Sequence, residues 1–237
     1  MGLRLLAEQT AVWNLPLSPA QLTQFERYLA LLLDWNERLN LTAVRDPAQI
    51  EVRHFLDSLS CALLTGGLNG RSLIDIGSGA GFPGLPLKLL YPDLKLTLVE
   101  SVAKKTTFLQ TVVADLGLSG VTVLAERAEA LGQSAEHRER YDWATARGVA
   151  EMRTLLEYLL PLCRVGGHAL AQKGENGLAE LAAAETAVAT LGGGPAQWQV
   201  VTLPGHLTPH YLISVPKRSP TPAPYPRRVG LAAKRPL

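Results

Sequence analysis

The stretch Leu73-Ile74-Asp75-Ile76-Gly77-Ser78-Gly79-Ala80-Gly81-Phe82-Pro83-Gly84 decides the fold. A short apolar run carrying one acid leads straight into a glycine loop, and an apolar helical pattern follows. That is how a strand–loop–helix unit of a parallel sheet begins. Glycine lets the chain turn sharply here and lets a ligand approach the main chain closely. The spacing narrows the choice of ligand. A dinucleotide fingerprint needs glycine at position 82, which is Phe82, and a P-loop needs Gly-Lys-Ser or Gly-Lys-Thr, which is absent. A glycine-rich turn that holds no ligand is the alternative.

Outward from the loop, short apolar strands alternate with helical patterns. The periodicity predicts strands over 72–77, 95–100, 121–125, 142–146, 168–172, 197–203 and 210–215. Helices are predicted between them at about 84–91, 102–116, 127–132, 150–161 and 175–191. Such alternation predicts an α/β fold, a mostly parallel sheet of about six strands covered on both faces. Only Pro204-Gly205 and Pro209 punctuate the link between the last two strands, so these should pair antiparallel. Ahead of the sheet, Ser18-Pro19 starts a long amphipathic helix over 19–42, and a second helix is expected from Pro47 to about Leu64. The predicted organisation is a helical cap over 1–65, a sheet domain over 66–215 and a basic, proline-rich arm over 216–237.

Composition excludes several classes. Of 237 residues, 47% are hydrophobic and 19% charged, enough to build a core and too few charges for wholesale disorder. Cys61 and Cys163 form no CxxC motif, so neither a disulfide scaffold nor a metal site is expected, and a reducing, cytoplasmic setting suits them. No apolar run is long enough for a membrane span. The formal charge of +2 is unevenly placed: six basic and no acidic residues fall in 216–237, leaving 17 basic against 21 acidic before them, or −4. An acidic body with a basic arm suits a polyanionic partner.

The candidate site residues follow from the strand ends. Glu100 closes the second strand, 23 residues after Gly77, where an acid can accept from two ribose hydroxyls. Ser101 and Val102 follow it. At the third strand end, Ala128-Glu129 could meet an adenine, although Glu129 also reads as the solvated first turn of a helix. The fourth and fifth strands end in Arg147 and Lys173. Either cation could hold a phosphate or a guanine edge, or each could pair locally, with Glu151 and Glu175. In the cap, Asn36 and Asn40 share a helical face and could read a base edge, and Asp57 could fix the tautomer of His54.

The loop, acid-x-G-x-G-x-G, is similar to the S-adenosylmethionine loop of class I methyltransferases, whose ligand carries a sulfonium and an amino group that favour a carboxylate such as Asp75. The whole chain resembles the ribosomal RNA small-subunit methyltransferase G family, also known as glucose-inhibited division protein B. The segments carrying the resemblance are WNERLNLT (35–42), HFLDSL (54–59), DIGSGAGFPGLP (75–86), VESVAKKTTFL (99–109), YDWATARGVA (141–150), EYLLPL (157–162) and YPRRVGLAAKRPL (225–237). The resemblance implies a Rossmann-like class I fold and methyl transfer from S-adenosylmethionine to N7 of one guanine (guanine 527) of 16S rRNA, releasing S-adenosylhomocysteine. It implies cofactor contacts at Asp75, Gly77, Gly79, Gly81, Phe82, Glu100, Ser101, Val102, Ala128, Glu129 and Arg147. Arg147 and Lys173 are expected to position the reactants, and Asn36, Asn40, Arg227 and Arg228 to meet the RNA. The expected partner is 16S rRNA, the small ribosomal subunit or an assembly intermediate, bound by a monomer without metal or membrane.

Overall fold

The computed structural model describes residues 2–205 and 208–237. Seven strands form one sheet: β1 (Ser72–Ile76), β2 (Lys95–Val99), β3 (Val121–Leu124), β4 (Tyr141–Arg147), β5 (Cys163–Lys173), β6 (Gln197–Val201) and β7 (His210–Pro216). Their order is β3-β2-β1-β4-β5-β7-β6. The five strands from β3 to β5 are parallel, while β7 runs antiparallel to both β5 and β6. The parallel part is thus one strand shorter than the sequence suggests, and the terminal antiparallel pair is present. Strand order reverses between β1 and β4, and in such sheets ligands bind outside the carboxyl ends of the strands at that point.

The cap begins with α1 (Arg4–Val12) and α2 (Pro19–Leu39). Ser18 caps α2 through a capping box with Gln21, and Pro19 opens its first turn. The helix stops three residues before the expected end, because Asn40 turns left-handed at φ 48°. The stretch after Pro47 is helical but not uniform. It comprises α3 (Pro47–Ile50), a π-helical turn (Glu51–Leu56), α4 (Asp57–Ser60) and α5 (Ala62–Thr65). Tyr28 and Phe55 from these helices pack on Phe82 of the glycine loop, with ring centroids 5.6 and 6.1 Å away, and Phe25 packs on Phe55 at 5.1 Å. Cap and sheet therefore share one core.

Between the strands lie α6 (Gly84–Leu90), α7 (Ala103–Asp115), α8 (Ala128–Gln133) and α9 (Met152–Leu159). The helix expected over 175–191 is broken at Ala184 into α10 (Gly177–Ala183) and α11 (Glu185–Thr190). After β7 the chain ends with a short turn of helix, α12 (Leu231–Lys234). No helix among the described residues is long and apolar enough to cross a membrane.

The segment after β7 is not a free arm. Lys217 is fully buried, donates to the carbonyls of Leu160 and Leu191, and pairs with Glu139 at 3.3 Å. Arg138 of the body donates to the carbonyls of Thr221 and Tyr225, and Gln133 to that of Pro226. Pro226 lies against Gly132, where a Cβ would come within 2.5 Å of its ring. These contacts hold the backbone of residues 217–226 against the body.

Candidate active site

The glycine loop is shaped from both sides. Gly77, Gly79 and Gly81 all have positive φ (66°, 59° and 98°), a conformation that side chains disfavour. Asp75 anchors the loop from below: its Oδ2 accepts from the N–H of Gly84 at 2.9 Å. It is fully buried and lines neither of the two cavities that border the loop, so it supports the loop from behind and is not exposed to a ligand's cationic groups as the sequence suggests. Burial raises its carboxyl to about 7, a rise that the Gly84 N–H and the charge of Arg147 only partly offset. Gly81 likewise faces the protein, where a Cβ would collide with Leu85 and the hydroxyl of Tyr28. Tyr28 itself donates to the carbonyl of Ala80, tying the cap to the loop.

Glu100 is buried at the end of β2. Its Oε2 accepts from Gly79 N at 3.1 Å and its Oε1 from Val102 N at 2.9 Å. Each oxygen keeps a second acceptor direction. A cavity of about 380 Å³ opens beside it, walled by Ile76, Gly77, Val99, Ser101, Ala128, Glu129 and Tyr158, with Arg127 among its lining residues. Val102 is exposed beyond it. Glu129 is buried rather than solvated, because its Oε1 accepts from the backbone N–H of Gly230 at 2.9 Å. Val229, Gly230 and Ala233 complete the wall. Sequence reasoning missed these three; the only signal was a glycine, Gly230, which sits at φ 77°.

A second cavity, about 130 Å³, shares Gly77 with the first and is lined by Leu41, Thr42, His54, Gly79, Phe82 and Arg147. Arg147 lies over the Phe82 ring at 4.9 Å, and His54 stacks on the same ring at 4.7 Å. Arg147 does not pair with Glu151, which takes Arg153 instead. Its Nη1 lies 2.8 Å from Oδ2 of Asp57 and donates to the carbonyl of Arg53, and its Nη2 lies 3.3 Å from Nδ1 of His54. The expected His54–Asp57 bond does not form: the wide turn over 51–56 changes the phase between them, and Arg147 comes between. Asp57 also accepts from His210 at 3.1 Å, and its carbonyl takes Gln172. Burial alone would raise the Asp57 carboxyl, but the bonds from His210 and Arg147 outweigh it and hold it below the usual range. Burial and the charge of Arg147 push His54 down to about 4, so its ring is neutral near pH 7. Thr42 Oγ1 holds its Nε2 at 2.7 Å.

Several predicted residues are placed elsewhere. Lys173 is engaged by Glu180 at 2.5 Å and by the carbonyl of Ala150, so it braces the start of α9 and does not reach the crevice. Asn36 is buried, both ends of its amide spent on the backbone of Thr42, and cannot read a base. Asn40 is exposed and accepts from Arg45. Arg227 is locked in a buried ion pair with Glu157 at 2.6 Å, while Arg228 remains exposed. No cluster of three or more His, Cys, Asp or Glu among the described residues could hold a metal.

The model of a family described as rRNA small subunit methyltransferase G matches residues 21–207. Over 225 residues the chain is 54% identical to the ribosomal RNA small subunit methyltransferase G of Roseiflexus castenholzii, covering 95% of each. It is 50% identical over 236 residues to the protein of that name from Chloroflexus aggregans, covering 99% of this chain and 98% of the other. Among solved structures, a predicted O-methyltransferase from Agrobacterium tumefaciens superposes at TM-score 0.55, with 19% identity over 69% of this chain and 81% of its own. A 16S rRNA (adenine(1408)-N(1))-methyltransferase from Catenulisporales acidiphilia does so at 0.53, with 13% identity over 71% and 91%. At these identities the structures attest the fold alone.

Proposed function

The chain belongs to the ribosomal RNA small subunit methyltransferase G family, and from that premise we propose that it methylates N7 of a guanine in small-subunit rRNA at the crevice between the ends of β1 and β4. It is an S-adenosylmethionine-dependent methyltransferase. The larger cavity fits that cofactor. It offers an apolar slot between Ile76, Val99 and Tyr158, a carboxylate at Glu129, and glycine backbone at Gly77 without a Cβ in the way. Glu100, Ser101, Ala128 and Glu129 would hold the adenosine part and Gly77 and Gly79 the remainder. When bound, the cofactor supplies an electrophilic methyl carbon.

The observation that favours N7 is the lining of the smaller cavity. It presents an arginine, a neutral histidine and an aromatic ring, and none of its lining residues is a carboxylate or a thiol. Both cysteines are buried, and burial lifts the Cys163 thiol to about 12, so neither is a thiolate nucleophile. Guanine N7 already carries a free lone pair. It needs neither a base nor a covalent nucleophile, only to be held in line with the methyl carbon, a contribution of positioning. Arg147, which lines that cavity, would donate through a remaining N–H to the O6 edge of such a base, the pairing arginine favours with guanine. The base must leave its stack to enter the crevice, where the ring of His54, backed by Phe82, would lie beside it.

An N7-methylated guanosine carries a positive imidazolium ring that reduction and aniline treatment cleave. Small subunits lacking the modification, incubated with the enzyme and cofactor, should gain one new aniline cleavage at a guanine in the small-subunit rRNA. Methyl incorporation without a cleavage site would exclude N7.

A further inference from the structure

Residues 227–235 meet different chemistry on their two sides. On the inner side, Val229, Gly230 and Ala233 line the larger cavity, and Gly230 donates to Glu129. Arg227 anchors the segment on Glu157, which is fully buried, and the carbonyl of Ala232 accepts from Thr154 of α9. Arg228, Lys234 and Arg235 do not line that cavity; all three are exposed, none in an ion pair among the described residues, in a stretch without a single acid. The body before it carries −4. A polyanion approaching the crevice finds three cations on the same short segment that helps close the cofactor cavity.

We infer that this segment is a shared wall, its inner face part of the cofactor site and its outer face a contact for rRNA phosphates, so that cofactor and RNA strengthen each other's binding. The inference rests on the function proposed above. Contacts to the inner face restrain the backbone that carries Arg228, Lys234 and Arg235. Phosphates held by those cations restrain in turn the backbone of Val229, Gly230 and Ala233. Whichever partner arrives second finds the segment already ordered, and the linkage is reciprocal. Part of the lost conformational freedom is counted once instead of twice.

Equilibrium dialysis of labelled S-adenosylhomocysteine, which cannot donate a methyl, tests this with the full-length protein. Its affinity is measured with and without saturating small ribosomal subunits. In the unaltered protein, subunits should tighten it by about fivefold or more, the lower end of ordinary coupling. The combined variant Arg228→Gln, Lys234→Gln, Arg235→Gln should bind the probe normally when alone and lose that gain. Its subunit binding should also show a salt slope shallower by about 2, from three lost phosphate contacts. Equal affinity with and without subunits in the unaltered protein would overturn the linkage. So would a full gain in the variant, or a variant already weakened without subunits, because the two faces would then not be separable. A protein that binds no probe at all would overturn the reading of the cavity itself.

Discussion

Oδ2 of Asp57, from the first turn of α4, lies 2.8 Å from Nη1 of Arg147 at the end of β4, and this contact fastens the cap to the sheet at the crevice. Three further groups converge on the pair: His210 on Oδ1, Gln172 on the carbonyl of Asp57, and His54 on Nη2 of Arg147. Asp57 is thus a positioning residue for the arginine. Asp57→Ala leaves a largely buried guanidinium without its counter-charge, which should cost about 3 kcal/mol in urea unfolding. Asp57→Asn keeps the acceptor and should stay folded. Its turnover should still fall about tenfold or more, the scale of one weakened charged hydrogen bond, with cofactor affinity unchanged. An asparagine variant with normal turnover would show that the ion pair serves folding alone.

Glu100 has two tasks, which separate by variant. Glu100→Ala removes the acceptors for Gly79 N and Val102 N as well as any ribose contact. Calorimetry should show cofactor affinity lowered by roughly ten- to a hundredfold. Glu100→Gln retains one acceptor oxygen and should fall between. Unchanged affinity in a folded alanine variant would remove Glu100 from the site.

The buried carboxyl of Asp75 has a pH signature of unusual sign. Its folded pKa of about 7 stands above the unfolded value of about 3.9, so the folded chain binds more protons between them. That contribution to stability is present below about pH 4 and is lost as pH rises through 7. Asp75→Asn keeps an acceptor for Gly84 N and should remove the slope, a difference of about 3 kcal/mol between pH 5 and pH 8. Urea unfolding at pH 5 and pH 8 measures it; parallel profiles for both proteins would refute it.

The neutral ring of His54 works in the opposite direction. With a folded pKa of about 4 against an unfolded value of about 6.5, protons bind the unfolded chain more readily between the two. Stability should therefore decline as pH falls from 6.5 toward 4, and His54→Gln should flatten that decline. Denaturation midpoints for the two proteins at pH 7 and pH 4.5 provide the comparison, and an equal drop in both would contradict the neutral assignment.

What the sequence disclosed depended on whether a feature was local. The loop from Asp75 to Gly84 was legible because glycine spacing follows one short turn, and the alternation of strands and helices followed from apolar period alone. The terminal antiparallel pair was legible from the absence of a helix between its strands. The partners of Arg147 were not, because Asp57, His54 and Arg53 lie about 90 residues away in the chain and only the fold brings them together. Lys173 and Asn36 looked available because sequence shows a residue's type and not its engagement with Glu180 or with the Thr42 backbone. The segment after β7 misled for a related reason. Prolines and cations there suggested an extended arm, but Glu157 and Glu139 wait on the body for Arg227 and Lys217. A stretch read as an arm for RNA, with folding back on the sheet as the alternative, forms a wall of the cavity.

The most direct test of the account is the identity of the methylated nucleoside. Purified protein, labelled S-adenosylmethionine and small ribosomal subunits lacking the modification are incubated together, and the rRNA is digested to nucleosides and resolved by mass spectrometry. The account predicts label in 7-methylguanosine at about one methyl per subunit, with Arg147→Ala incorporating far less while binding the cofactor. Label recovered in any other nucleoside or in ribosomal protein, or none at all, would contradict it.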